Sequence, residues 1–442
     1  MKTESFIDQF NLKLKQQSRL ERYGRVVNFS GGIIECNGPD VKVGSVCAII
    51  SQNEIVGIEQ EPPILAEALG FKAGKILLIP YQSAEGIQPG NKVMVVSDKP
   101  IIKASSELLG RVLNAYAEPI DGGPSIGQYT QYPIKKSSTN PFQRVPIKKP
   151  FITKSLTVDT FLTMGYGQRM GIFAGSGVGK STLLNHMIGN VAGVDVNVIA
   201  LIGERGREVI ELVDSLPSDQ RQHTVFVVAT ADDPPLKKIM AAYSAMAIAE
   251  FFAGQNLNVL ISMDSITRFA MAQREVGLLL GEPPTTKGYT PSCFTALGQL
   301  LERAGNFQQG SITGLFTILV EGDDLMEPVA DHARAVLDGH IVLSRELANS
   351  GHYPAIDLLQ SKSRLLNQLV NVDQQRLINQ SLAMLAKYQQ AKDMIELGAY
   401  QSGANEGLDK AINFHNELSR LIYRQSKISC SELYVRLKGL LP

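Results

Sequence analysis

Residues 171–184 read GIFAGSGVGKSTLL, with Gly175, Gly177 and Gly179 close together and Lys180 and Ser181 directly after them. A loop of this kind suits phosphate. Glycines let the backbone curl so that its N–H groups face an anion, and a helix starting behind the loop adds its positive end. The N–H groups from Gly175, Ser176, Gly177, Val178 and Gly179 on to Thr182 would then surround a nucleotide phosphate. Lys180 would reach the β- and γ-phosphates, and the Ser181 hydroxyl would ligate Mg²⁺. The strict pattern begins with glycine, and here that place is Ala174.

Two carboxylates could complete the chemistry. Asp264 ends the apolar run NVLISMD. A carboxylate at a strand tip beside the phosphate loop is where the magnesium shell is held, although many strands simply end in Asp. Glu204 lies in LIGERGREV, 201–209, where the strand after the phosphate-loop helix should finish. Hydrolysis of a phosphoanhydride needs a carboxylate to orient and polarise the attacking water. On spacing alone, Arg205, Arg207 and Glu208 equally suit a solvated charge cluster.

The elements that must position these residues are visible in the hydrophobic pattern. Residues 24–97 carry short apolar runs such as GGIIE, GSVCAIIS, IVGIE, KILLIP and NKVMVV between Gly, Pro and Asn turns, as in a small barrel or sandwich. Residues 133–150 hold four prolines and few apolar side chains, an extended connector. From about 151 onward, β-rich runs (RMGIFAG, VNVIALIG, TVFVVAT, NVLISMD, TGLFTILV, GHIVLS) alternate with helical stretches. That alternation predicts a mostly parallel sheet covered on both faces. Beyond about 365 the pattern is helical, and Ser429-x-x-Glu432 spells a capping box.

The 442 residues exceed one ordinary domain. The 43 basic and 43 acidic side chains balance, which argues against a chain whose main partner is nucleic acid. Cys36, Cys47, Cys293 and Cys430 lack metal-ligand spacing and read as reduced thiols of a cytoplasmic protein. No apolar run reaches the ~18 residues of a membrane span. Phe6, Phe10 and Leu14 repeat at i, i+4, i+8, the stripe of an amphipathic helix that either packs on its own domain or docks a partner or membrane surface.

Several further segments bring the chain close to a known family. LLGRVLNAYAEPIDG, GERGRE, MDSITRFAMAQREV, GEPPTTKGYTPSCFTALGQLLERAGN and PAIDLLQSKSR together resemble the ATPases related to the rotary-ATPase α/β subunits. Within them the chain is most similar to the flagellum-specific export ATPases and their type III secretion relatives, over nearly its whole length. The resemblance implies a multidomain protein: a docking helix at 1–22, a β-barrel at 23–97, an α/β P-loop (RecA-like) catalytic domain at 98–365 and a helical domain at 366–442. It implies Glu204 as the catalytic glutamate, Arg205 and Arg268 near the nucleotide, Asp264 as the second magnesium residue and Tyr353 stacked on adenine. It implies Arg364 as an arginine finger serving the neighbouring subunit.

The implied activity is hydrolysis of Mg-ATP by a homohexamer that docks, unfolds and delivers flagellar export substrates. The implied partners are a stator-like regulator on the N-terminal helix, a central stalk in the pore, a membrane export gate, and substrates with their chaperones. The implied place is the cytoplasmic side of the inner membrane. The loop GEPPTTKGY, 281–289, would face the ring axis. Three alternatives stand beside this reading. One is the ATPase of a virulence-type secretion system, although 392–412 resembles the flagellar branch. Another is an RNA-translocating ring, which would need a basic, aromatic platform on the barrel. The third is a non-catalytic ring subunit, which would lack Glu204.

Overall fold

The strands of the first unit alternate in part, as over Tyr23–Ser30 and Ile33–Asn37, while two others are buried over four or five residues running, and together they close on themselves. The computed structural model describes residues 22–50, 62–136, 140–191, 193–422 and 428–441, so the Phe6-Phe10-Leu14 stripe and the run IVGIE lie outside the described residues. Contacts divide the chain between Pro100 and Ile101. In the first unit β1 (Tyr23–Ser30), β2 (Ile33–Asn37), β3 (Val46–Ile50), β4 (Ile64–Lys72), β5 (Lys75–Pro80) and β6 (Lys92–Ser97) form a closed barrel. The order is β1-β2-β5-β4-β3-β6, and every pair is antiparallel. Val26, Ile34, Cys36, Cys47, Ala66, Leu78 and Val93 fill its interior.

The second unit is built on a nine-stranded sheet among the described residues. Its main strands are β7 (Val112–Leu113), β8 (Arg169–Ala174), β9 (Val196–Glu204), β10 (Thr224–Thr230), β11 (Asn258–Asp264), β12 (Ser311–Leu319), β13 (Gly339–Leu343) and β14 (Ile356–Ser363). They lie in the order β14-β13-β8-β12-β11-β9-β10-β7, parallel throughout except for the β13–β14 pair. All of β9 before Glu204 is buried, as a strand covered on both faces must be.

The covering helices include α1 (Lys180–Asn190), α2 (Gly206–Ser215), α3 (Pro235–Ala253), α4 (Ile266–Leu279), α5 (Pro291–Leu301), α6 (Pro328–Val336) and α7 (Arg345–Asn349). Alanine-rich α3 is apolar around most of its circumference and packs on β9, β10 and β11. The connector is tied down rather than free: the Arg144 guanidinium donates to the Ala304 carbonyl at 3.0 Å.

The chain ends in α8 (Val372–Glu396), α9 (Glu406–Ile422) and α10 (Cys430–Leu440), whose Ile378, Phe414, Leu418, Leu433 and Leu437 join the core of the catalytic unit. Tyr434 on α10 donates to the Thr160 carbonyl at 3.0 Å. Ser429 accepts from the Glu432 N–H as the spacing predicts, but the Glu432 carboxylate turns to Arg436. The full reciprocal box forms instead at Asn371 and Gln374, where α8 starts.

Candidate active site

In a parallel sheet the strands all leave toward one edge, and the residues singled out by motif gather there. From β8 the chain turns through 175–179 into α1, with Gly177 at φ +78 and Gly179 at φ +95. An L side chain is disfavoured at such angles, so these two glycines let the backbone curl. Gly175 works differently. Its φ is not positive, and a Cβ there would meet the exposed head groups of Asp323 and Arg345.

Asp264 ends β11 and is 6% exposed. Its strand is not the neighbour of β8, because β12 lies between them. The Lys180 ammonium crosses this gap and pairs with the Asp264 carboxylate. The intervening strand contributes a residue the motifs do not name: Thr317 donates its hydroxyl to Asp264 Oδ1 at 2.7 Å. A buried carboxylate is costly unless paired and hydrogen-bonded, and here it is both. A threonine in TGLFTILV has no local signature. The strand also carries Ser311 and Thr313, so the Thr317 hydroxyl does not stand out in the sequence.

Glu204 leaves β9, two strands beyond β12, at the same edge. Its carboxyl is pushed up from an ordinary 4.5 to about 7, first by burial and next by the Asp264 charge. Lys180 pulls in the opposite direction, and Glu208 adds to the rise by accepting a hydrogen bond from the protonated Glu204 carboxyl and by its charge. The charge-cluster reading of this run therefore divides. Arg207 is a surface residue paired with Glu211 at 3.3 Å, whereas Glu208 belongs with Glu204. A carboxylate titrating near neutrality beside a lysine suits a group that takes a proton from water.

Arg205 is exposed at the start of α2. Exposed Arg268 lays its aliphatic stem over Gly203, where a Cβ would meet Arg268 Cγ at 3.0 Å. Tyr353 is 44% exposed. Its ring edge stands 3.4 Å from where a Cβ on Gly179 would lie. Arg364 is placed elsewhere, at the opposite end of β8. The Ser181 hydroxyl and the Asp264 carboxylate are oxygen donors of the kind Mg²⁺ takes, and the buried charge of Asp264 suits a cation. No helix among the described residues is long and apolar enough to cross a membrane.

Comparison with known proteins matches three stretches of the chain. The family described as ATP synthase alpha/beta family, nucleotide-binding domain, matches residues 155–363, and its beta-barrel domain matches 26–95. The T3SS EscN ATPase C-terminal domain matches 370–438. A flagellum-specific ATP synthase of Bacillus subtilis is 43% identical over 423 residues, covering 96% of this chain and 94% of the relative. A type 3 secretion system ATPase of Xanthomonas euvesicatoria is 42% identical over 393 residues, covering 89% and 87%. The solved structure of the assembled ATPase EscN from the type III secretion system of enteropathogenic E. coli superposes with a TM-score of 0.88 at 36% identity, covering 95% of this chain and all of that one. EscN in complex with its central stalk EscO gives 0.84 over the same coverage.

Proposed function

This chain belongs to the flagellar and type III secretion branch of the ATP synthase α/β family and is an ATP-hydrolysing P-loop enzyme; on that premise we propose that it drives flagellar protein export as a ring of six copies. The observation that carries the catalytic part is Glu204, poised near pH 7 beside the Lys180–Asp264 pair. ATP places its phosphates against the N–H groups of 175–182, with Lys180 on the β- and γ-phosphates. Ser181 and Asp264 hold Mg²⁺, which when bound offsets charge on the phosphate oxygens. Glu204 orients the attacking water and accepts its proton. Arg205 and Arg268 flank the phosphates, and Tyr353 covers the adenine.

The remaining partners follow from the same family. A central stalk occupies the ring pore, as the EscN–EscO complex encourages. Residues 1–22 dock a stator-like export regulator, and the ring delivers chaperoned substrates to a membrane export gate on the cytoplasmic side. Sequence identity separates the flagellar and virulence branches poorly, at 43% and 42% for the two relatives above. The segment 392–412 favours the flagellar one. Gene disruption in the native cell tests this choice. Loss of filaments and motility supports the flagellar reading, and retained motility with lost secretion of other proteins overturns it.

A further inference from the structure

A side-chain clamp stands behind the first glycine of the phosphate loop. Arg345, the first residue of α7, extends its guanidinium to two partners at once. Nε and Nη2 donate to the Asp323 carboxylate at 2.7 and 3.3 Å, and Nη1 donates to the Ser176 carbonyl at 3.2 Å. A Cβ on Gly175 would meet the Asp323 and Arg345 head groups, so any larger residue there would have to displace them. Asp323 is held in that place by unusual backbone. Gly322 and Asp323 both sit in the left-handed region, at φ 65 and 57, directly after the strand that borders β8. The Val320 N–H also bonds the Ala174 carbonyl at 3.0 Å, which keeps this turn against the loop.

We infer that Arg345 is a positioning residue of the phosphate loop, acting through the Ser176 carbonyl and itself aimed by Asp323. The carbonyl of Ser176 and the N–H of Gly177 belong to one peptide. A cation on the oxygen polarises that peptide and strengthens the N–H as a donor on the opposite side, where a phosphate binds. Only an arginine fork satisfies a carboxylate and a carbonyl together in fixed geometry. The clamp stands beside an open cleft of about 440 Å³ that Gly175, Asp323 and Arg345 help to line. Arg345 and Asp323 are 22 positions apart in segments without a motif, and neither touches the nucleotide in this account.

The inference rests on reading 175–182 as the nucleotide site, and the test separates the two. Equilibrium binding of a fluorescent ADP, with KM and kcat for ATP, is measured on the full chain for wild type, Lys180→Ala, Arg345→Ala, Arg345→Lys and Asp323→Asn. Wild type binds and Lys180→Ala does not, which tests the site itself. Arg345→Ala then binds about tenfold more weakly and raises KM to match, while kcat stays within about twofold. Arg345→Lys and Asp323→Asn fall between it and wild type. Melting temperatures without nucleotide agree within about 2 °C. Unchanged binding in Arg345→Ala overturns the inference. So does a loss that tracks a lower melting temperature and is not partly restored by lysine, because that marks a merely structural contact. Binding by Lys180→Ala equal to wild type removes the site reading and the inference with it.

Discussion

Lys180 and Arg364 stand at opposite ends of the same strand. Lys180 begins the helix that follows β8, whereas the Arg364 N–H bonds the Asp338 carbonyl at 2.9 Å, and Asp338 in turn bonds Arg169 at the start of β8 at 3.0 Å. Six residues of β-strand place them roughly 17 Å apart or more. No arginine side chain spans that distance. The exposed Arg364 guanidinium instead donates to the Arg334 carbonyl at 2.9 Å. If Arg364 serves a phosphate, it serves one held by another copy of the chain.

Turnover is expected to depend on Glu204. Glu204→Gln keeps the shape and the phosphate-loop contacts but cannot accept a proton, so nucleotide binding stays near wild type while kcat falls by about 10²–10⁴. In the wild type, kcat/KM is expected to fall as pH drops through about 7, where the carboxyl protonates. A variant with near wild-type turnover would remove Glu204 from the mechanism.

The same carboxyl makes a prediction about stability. Its folded-state value of about 7 lies above its ordinary 4.5, so the ionised form is disfavoured on folding. The resulting cost is absent below about pH 4, grows between the two values and is complete above about 7. Glu204→Gln is therefore expected to be more stable than wild type without nucleotide at pH 8, by about 2 kcal/mol after allowance for solvent around a partly buried group. The difference should vanish at pH 4. Thermal melts across this range check it, and a wild type more stable than the variant at pH 8 would contradict it.

Motif residues and partner residues differ in how legible they are. Gly177, Gly179, Lys180 and Ser181 form one loop, so their spacing alone announces them. Glu204 and Asp264 are legible because a buried parallel strand reads as an apolar run, and the charge that ends it marks the sheet edge. The order of the strands is not local. Nothing in NVLISMD or TGLFTILV says that β12 separates Asp264 from the phosphate loop and adds Thr317. Arg345 escaped for the same reason, since it acts across 169 positions on the Ser176 carbonyl. The sequence suggests backbone freedom at Gly175, but its φ is not positive.

Breaking the Lys180–Asp264 pair is expected to cost stability as well as binding. Asp264 is 6% exposed, and removal of its cation leaves a buried charge that keeps the Thr317 hydroxyl as a donor. Lys180→Met should lose about 3 kcal/mol in denaturant melts without nucleotide. Adding Asp264→Asn to it should return more than about half of that, because the double variant no longer buries an unpaired charge. Equal stability of Lys180→Met and wild type would show that the pair contributes little.

The loop 281–289 is predicted to line the ring pore. Its ends are anchored: Ser292 donates its N–H to Glu282 at 2.8 Å, and the Thr285 N–H bonds the Tyr289 carbonyl at 2.7 Å, with Arg274 over the Tyr289 ring at 5.1 Å. Pro283 to Lys287 are exposed between these anchors, and the adjacent prolines keep the tip stiff. A photo-crosslinker at Thr286 in assembled rings should capture a central stalk or translocating substrate. Crosslinks confined to the outer rim would contradict the assignment.

Arginine fingers in other phosphoryl-transfer enzymes contribute about 10³–10⁵ in rate, so a finger acting between copies makes the lone chain a poor catalyst. Specific activity should then rise with protein concentration, and Arg364→Ala should stay slow when fully assembled. The most direct measurement mixes Arg364→Ala with Lys180→Ala chains, each inactive alone. In mixed rings some interfaces pair an intact phosphate loop with an intact Arg364 from the neighbour, and the account predicts that ATPase activity returns. Absence of activity in rings shown to contain both variants would contradict it.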